Sequence, residues 1–600
     1  MLYTLFIQLL LAFLLTVAQA QSDYYERLTL HPLPFSLLLA SFDFRSNESV
    51  SAFEAQNFRY FPRSLGQILQ HAKTKELHLR FSTGRWDAET WGARPWDGFK
   101  EGGTGVELWA WIEADTGAQA FERWTTLVQS LSGLFCASLN FVDATKTTRP
   151  ATTFSPLGDP TTLEGTYLLH GVLPGEVVCT ENLTPFLKLL PCKGKAGISS
   201  LLDGHKVFDA AWQSMSIDIR PKCSADRAEC QIEIQQTIDV VLDIERSKRP
   251  RDNPIPRPIP EQDLVCDETK SYHSQDTCYP KDMDGEPKWG LKEVFGRPMA
   301  GCCPLTDNEG PDAKSICLVV PHDRLVMIGG SGFEVKSRFD RIESRCYQLM
   351  AGENFDMDLL AQTLKTPPIL DSELLKAERT ITGHGAAYGG IRTILTNPSS
   401  TESVSFVYFE SLPWFMRPFM HTLHASTISS PSSTEEDIIR EMYYRPAIDR
   451  TRGSQLELVM TIPPSSSVKL TYDFEKAILR YTEYPPDANR GFNVAPAVIR
   501  ILNETKIDGS PRDVYIRTTS LLLPLPTPDF SMPYNVIILT CTVLALAFGS
   551  VFNLLVRRFV GADEVPESEL SKCVKYLRGR IQGIVVALRD RLRPKAQKVE

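Results

Sequence analysis

CQIEIQQTIDVVLDI, residues 230–244, carries apolar side chains at 232, 234, 238, 240, 242 and 244, every second position over most of its length. A period of two sends alternate side chains to opposite faces of an extended strand, whereas a helical face needs spacings of three and four. The same alternation runs through ELHLRFST (Glu76–Thr83) and VELWAWIEA (Val106–Ala114). Residues from Tyr24 to about Ile244 therefore read as strands joined by turns. One helix interrupts them: AQAFERWTTLVQSLSGLFCASL, from Ala118, puts Phe121, Trp124, Leu127, Val128 and Leu131 on one face, with Gly133 as the expected stop. Farther on, SVSFVYFESLPWFMRPFMHTLHA, SQLELVMTIPPSSSVKLTYDFEKAIL and DVYIRTTSLLLPLP again look like antiparallel strands. The fold class is mainly β, with β-sandwich-like units, a few helices and one C-terminal transmembrane helix.

The two apolar runs at the ends of the chain set the topology. Residues 1–20, MLYTLFIQLLLAFLLTVAQA, end in the small-x-small triplet Ala18-Gln19-Ala20 and read as a secretory signal. The n-region has no Lys or Arg, which leaves an uncleaved anchor as the alternative. Val536–Val556 is a run of 21 uncharged residues, about 30 Å as a helix and enough to cross a bilayer. Arg557 and Arg558 follow at once, so the positive-inside rule puts the tail in the cytosol and the body in the lumen. Net charge is −9 over 600 residues, but residues 557–600 hold 11 Lys/Arg against 6 Asp/Glu and leave −14 for the rest. An acidic body argues against a nucleic-acid partner. In the tail, Leu570, Val574, Leu577, Ile581, Ile584, Val585, Leu588 and Leu592 recur among basic residues, the pattern of an amphipathic helix on an anionic leaflet.

The proline-rich segment Ser247–Asp263 marks a boundary. The expected organisation is a signal peptide (1–20), an N-terminal β-rich lumenal domain (21–246), a Pro-rich linker and cysteine-rich insertion (247–350), a second β-rich lumenal domain (351–530), the transmembrane helix (536–556) and the basic cytosolic tail (557–600). Of 13 cysteines, Cys541 falls in the span and Cys573 in the tail, leaving eleven in the body. An odd number in an oxidising compartment requires at least one to stay free or to pair with another chain. The neighbours Cys302 and Cys303 are expected to tie adjacent segments together rather than bond to each other. Asn47, Asn182 and Asn503 stand in glycosylation sequons.

Signatures of intrinsic chemistry are missing. No zinc-protease motif, P-loop or dinucleotide fingerprint occurs, and the sequence calls for no cofactor, metal or catalytic residue. Ser331 fails the nucleophile-elbow pattern because Phe333 replaces the second glycine. His384 lies in a glycine-rich loop, and His421 and His424 would point to opposite faces of a strand. Five tryptophans between Trp86 and Trp111 could form a sugar-stacking platform or a packed core.

Several long strings together resemble the PIG-T-type subunit of the glycosylphosphatidylinositol (GPI) transamidase. They are LSGLFCASLNFVDAT (from Leu131), GEVVCTENLTPFLKLLPCKGKAG (from Gly175), LPWFMRPFMHTL (from Leu412), YRPAIDR (from Tyr444), YTEYPPDANRGFNVAP (from Tyr481) and LPTPDFSMPYNVIILTCTV (from Leu525). The resemblance implies a non-catalytic scaffold in the endoplasmic reticulum membrane. That scaffold would hold a caspase-like catalytic subunit and multi-span subunits together for attachment of the GPI lipid to proteins. It further implies that Cys179 forms an interchain disulfide with the catalytic subunit, and that Asn489, Asp529, Ser531 and Asn535 lie near bound GPI. The competing expectation is a membrane-anchored lumenal lectin or chaperone that uses the tryptophans; a membrane-anchored hydrolase would need a nucleophile of its own.

Overall fold

The computed structural model describes residues 24–591 apart from 224–229, 250–263, 268, 270–277, 281–287, 307–313, 322–323, 331, 337–343, 351–353, 362–370, 384, 386, 429–437, 486, 503–511, 528–530, 558–560, 562–563 and 565–567. The signal segment, Ser331, His384, Asn503 and Asp529 lie outside the described residues. The chain divides into a body, Met1–Pro526, and a second unit, Thr527–Glu600.

The alternating segments form the first sheet. Its strands are β1 (Tyr24–Leu33), β2 (Leu37–Ser49), β3 (Thr74–Thr83), β4 (Gly105–Glu113), β5 (Thr147–Thr148), β6 (Thr166–Leu173), β7 (Trp212–Cys223) and β8 (Cys230–Asp243). The order runs β1-β2-β8-β7-β3-β4-β6-β5 with antiparallel neighbours. Beyond β1 the sheet continues through Lys314–Leu318, Arg345–Leu349 and Gly332–Lys336. Lys314–Leu318 runs parallel to β1, so the cysteine-rich segment supplies one edge of this sheet. Cys317–Cys346 bridges directly opposed residues of that edge.

One face of the sheet packs under helices. Leu77, Leu79 and Phe81 from β3 and Leu108 and Ala110 from β4 meet Trp124, Leu127, Val128, Leu131 and Phe135 of the helix Gly117–Phe135 in one core. Burying these five helical side chains contributes on the order of 10 kcal/mol before entropy is counted. The helix passes through Gly133 and ends at Cys136, which takes the left-handed conformation with φ 51°. The expected stop was two residues short because Phe135 is itself a core residue and holds the last turn in helical geometry.

The second half of the body is a sandwich. One sheet orders Lys376–Thr382, Tyr388–Thr396, Ser467–Lys476 and Met416–Pro418, with His424–Thr427 also paired to Ser467–Lys476. The other orders Ile439–Arg445, Ser454–Ile462, Val404–Leu412, Val498–Ile501 and Val514–Arg517. Phe406, Tyr408, Leu458 and Met460 from one sheet meet Ile391, Leu470, Tyr472 and Phe474 from the other.

In the second unit, Ser531–Val556 and Glu569–Arg591 are helices. Tyr534–Val556 is long and apolar enough to cross a membrane, and none of it is buried. On Glu569–Arg591 the stripe Leu570, Val574, Leu577, Ile581, Ile584, Val585 and Leu588 is exposed.

Candidate functional site

The loop after β6 leads into the helix Thr180–Leu189, and Cys179 is its N-cap in an extended conformation. A helix start leaves backbone N–H groups without intrahelical acceptors. Asn182, three residues on, reaches back so that its Oδ1 accepts the Cys179 N–H at 2.9 Å. Its Nδ2 donates to the carbonyls of Phe135 (3.0 Å) and Cys136 (3.3 Å), which are orphan acceptors at the end of Gly117–Phe135. A single amide thus ties the end of one helix to the start of the next. Asn182 is 2% exposed. The side chain read as a glycan acceptor is therefore committed to capping. The sequence signal for that role was present but passed over: Asn at the third helical position after an extended residue is a capping pattern.

Eight of the eleven body cysteines pair: Cys192–Cys303, Cys223–Cys230, Cys266–Cys278 and Cys317–Cys346. Cys136, Cys179 and Cys302 keep free thiols. Cys302 is buried, so of the adjacent pair only Cys303 makes a tie, to a residue 111 positions earlier. Cys179 is half-buried, and Val177, two residues before it, is 79% exposed. A held thiol beside a bare apolar side chain is suited to contact with another chain.

The same loop borders a cleft of about 830 Å³ between the first sheet and the sandwich. Gly175 and Glu176 line one wall, Trp414 and Phe415 another, and Pro485, Gly491 and Phe492 a third. A Cβ on Gly175 would sit 2.5 Å from Asn493 Nδ2, so any larger residue here would have to push that amide aside. Gly491 holds φ at +94° and its absent Cβ would strike the Leu523 carbonyl, so the loop carrying Asn489 turns where only glycine fits. Arg450 lies 4.8 Å from the Trp414 ring centroid and pairs with Glu483 at 2.5 Å. Segments that flank Cys179 and Asn489 in sequence thus border one cleft.

The polar face of the first sheet is sealed by the sandwich. Trp109 and Trp111 pack with Phe99, Phe154, Phe409, Val498 and Tyr515, while Trp86 packs edge-on against both Trp91 and Trp212. Trp96 donates its indole N–H to Asp239 Oδ1 at 3.0 Å. Trp86, Trp91, Trp109 and Trp111 are therefore buried in packing, and the half-buried Trp96 is tied down by its indole hydrogen bond. Among them lies a buried ion cluster. Asp218 faces Arg80 (2.5 Å), Lys100 (2.5 Å) and His78 Nδ1 (2.5 Å), and His78 Nε2 lies 2.8 Å from Glu76. Burial alone would raise the Asp218 carboxyl, but Arg80 and Lys100 hold it well below the usual range. Burial pulls the Lys100 ammonium down to about 8 against the attraction of Asp218. Glu107 of β4 meets Arg517 of the sandwich at 2.7 Å and His170 at 3.2 Å.

The remaining candidates are dispersed. Asn489 is exposed on a turn, Asn535 is exposed on the apolar helix, and Ser531 opens that helix. Asn47 lies half-buried in β2. His421 sits in a short 3-10 turn, Met420–Thr422, and His424 begins the next strand, so the two do not share a strand.

A family profile described as "Gpi16 subunit, GPI transamidase component" matches residues 8–582. The chain belongs to the Gpi16 family of GPI transamidase components. Its relatives include the GPI transamidase component GPI16 of Saccharomyces cerevisiae, 39% identical over 573 residues that cover 92% of this chain and 91% of that protein. The GPI transamidase component PIG-T homolog of Schizosaccharomyces pombe is 35% identical over 584 residues, covering 96% and 97% of the two chains. The human GPI-anchor transamidase component PIGT is 32% identical over 599 residues, covering 93% and 94%. Like these relatives, this Gpi16-family chain has a role in GPI-anchor attachment as a component of the transamidase.

Proposed function

We propose that this Gpi16-family chain is the non-catalytic scaffold subunit of the transamidase. It holds a caspase-like catalytic subunit and multi-span subunits together at the endoplasmic reticulum membrane, with its body in the lumen and its tail in the cytosol. The observation that carries this reading is Cys179, a free thiol fixed by the Asn182 cap beside exposed Val177. A disulfide from such a thiol to the catalytic subunit fixes a partner without requiring that partner to find its orientation anew in each cycle. Transamidation needs a nucleophile, a propeptide and a membrane-held amine donor brought to bonding distance, and pre-paid positioning of that kind lowers the barrier by several kcal/mol. The rigid body supports the role: the Glu107–Arg517 pair and the aromatic seam lock the first sheet to the sandwich. Asn489, Asp529, Ser531 and Asn535 are assigned to the neighbourhood of the GPI lipid by resemblance to the family.

Cys179→Ser is expected to leave the chain folded and assembled while removing a covalent heterodimer from non-reducing gels of the detergent-solubilised complex. Persistence of that band in the variant would overturn the role of Cys179. The lectin or chaperone reading is disfavoured by the burial of Trp86, Trp91, Trp109 and Trp111, four of the five clustered tryptophans. Recovery of glycans or clients in place of a cysteine-protease-like chain and multi-span partners in a detergent pull-down would restore it.

A further inference from the structure

A separate pocket of about 240 Å³ opens where β5 and β6 approach the sandwich edge, and it belongs to neither the Cys179 loop nor the aromatic cleft. Its lining contains Arg149, Arg445 and Arg452, the hydroxyl residues Thr147, Thr148 and Thr451, and no Asp or Glu. Each arginine is placed by backbone. Arg149 follows β5, where its N–H donates to Gln455 Oε1 at 3.2 Å and its carbonyl accepts from Gln455 Nε2 at 2.9 Å, clamping the segment to the sandwich. Arg445 ends the strand Ile439–Arg445, opposite the same Gln455. Arg452 closes a tight turn, its N–H donating to the Ile448 carbonyl at 3.0 Å and its Nε donating to the Pro446 carbonyl at 3.1 Å.

Three guanidinium groups around one small hollow repel one another. Arg149 registers this: burial first and then the charge of Arg445 lower its pKa. The nearby carboxylates are engaged elsewhere. Asp449 pairs with Arg417 at 2.6 Å, and Glu457 accepts from the backbone N–H groups of Ala151, Thr152 and Thr153. Arg149 spends one Nη on the Gly117 carbonyl at 2.6 Å, whereas the Arg445 guanidinium has no side-chain partner among the described residues. Guanidinium forks match phosphate oxygens in pairs, while the threonine hydroxyls are engaged locally: Thr147 Oγ1 donates to the Asp143 carbonyl at 2.7 Å and Thr451 Oγ1 to the Asp449 carbonyl at 3.3 Å, and Thr148 Oγ1 lies 3.0 Å from His170 Nδ1.

We propose that the Arg149–Arg445–Arg452 pocket binds a phosphate group, carried either by a small ester such as a lipid headgroup or by free inorganic phosphate. The hollow is too small for a folded partner segment and is bounded by three cations, which favours a compact tetrahedral anion over an acidic peptide. This inference stands apart from the scaffold reading, since it needs neither the Cys179 bond nor a particular partner.

The test is calorimetric titration of the full-length chain in neutral detergent at low salt, with O-phosphoethanolamine and inorganic phosphate in separate arms and a glutamate-rich peptide as competitor. Saturable binding of one phosphate per chain, weakened at least tenfold in Arg445→Gln, supports the proposal. Arg445→Gln should keep the parental melting temperature because no side-chain partner is lost, and Arg149→Gln provides a second variant. Tighter binding of the ester identifies a headgroup, and equal or tighter binding of inorganic phosphate identifies the free ion. Lack of saturable binding at millimolar concentrations, unchanged affinity in both variants, or stronger binding of the acidic peptide would each overturn it.

Discussion

Substituting Arg517 by methionine tests what locks the first sheet to the sandwich. Arg517 Nε donates to Glu107 Oε2 at 2.7 Å and Nη1 to the Gly98 carbonyl at 3.1 Å, and both members of the pair are 2% exposed. Methionine preserves most of the apolar stem but strands the Glu107 carboxylate, which keeps only His170 and the Gly103 N–H. Leaving one member of a buried pair uncompensated costs about 3–5 kcal/mol. Adding Glu107→Gln should recover about 1–3 kcal/mol, because a neutral amide no longer needs the cation while it can still engage His170 and Gly103. The pH response supplies a sign. Burial pushes the Glu107 carboxyl up, but Arg517 and His170 hold it well below the usual range. The parental pair therefore contributes stability above the unfolded carboxylate pKa of about 4.3 and loses it only as the pH falls below that. Without Arg517 burial dominates, the folded pKa rises, and the variant loses stability as the pH climbs above the unfolded value of about 4.3. The assay is denaturant unfolding of the full chain in micelles, read by tryptophan fluorescence, since Trp109 lies 5.6 Å from the Arg517 guanidinium. A single-variant cost under about 1 kcal/mol, strict additivity in the double variant, or no pH slope would refute the argument.

Two other outcomes follow from buried groups. Asn182→Ala removes three side-chain hydrogen bonds that cap two helices, so a loss of about 2 kcal/mol and faster alkylation of Cys179 are expected, measured by unfolding and by thiol labelling. Peptide mass spectrometry of the parental chain should find Asn182 without a glycan. Burial raises the Glu26 carboxyl to about 7 although Cys303, Ile198 and Tyr24 donate to it. Its folded pKa exceeds the unfolded one, so the stability it confers is complete below about 4.3 and is lost as the pH rises toward 7, at about 1.4 kcal/mol per pH unit. Glu26→Gln should flatten part of that slope; Asp239, raised to about 7 by burial, keeps the remainder.

Much of the fold was legible because the strands advertise themselves locally. The period of two in 76–83, 106–114 and 230–244 survives as β3, β4 and β8, and the apolar run before Arg557 survives as a helix. The candidate site was less legible, because its parts are defined by what lies across the fold. Asn182 looked like a glycan acceptor until the end of Gly117–Phe135 arrived at its amide. Arg149 of the small pocket lies about 300 residues before Arg445 and Arg452, and no spacing rule connects it to them.

By itself the sequence determined strand character, membrane-spanning capacity and an odd number of body cysteines, since periodicity, length and counting are properties of neighbouring residues. Only the tertiary structure decided that Lys314–Leu318 joins β1 in parallel, that Cys303 reaches back to Cys192, and that Glu76, His78 and Arg80 are buried. Alternation tells which side chains share a face of a sheet. It does not tell whether water or another sheet will meet that face, because that depends on contacts between segments hundreds of residues apart.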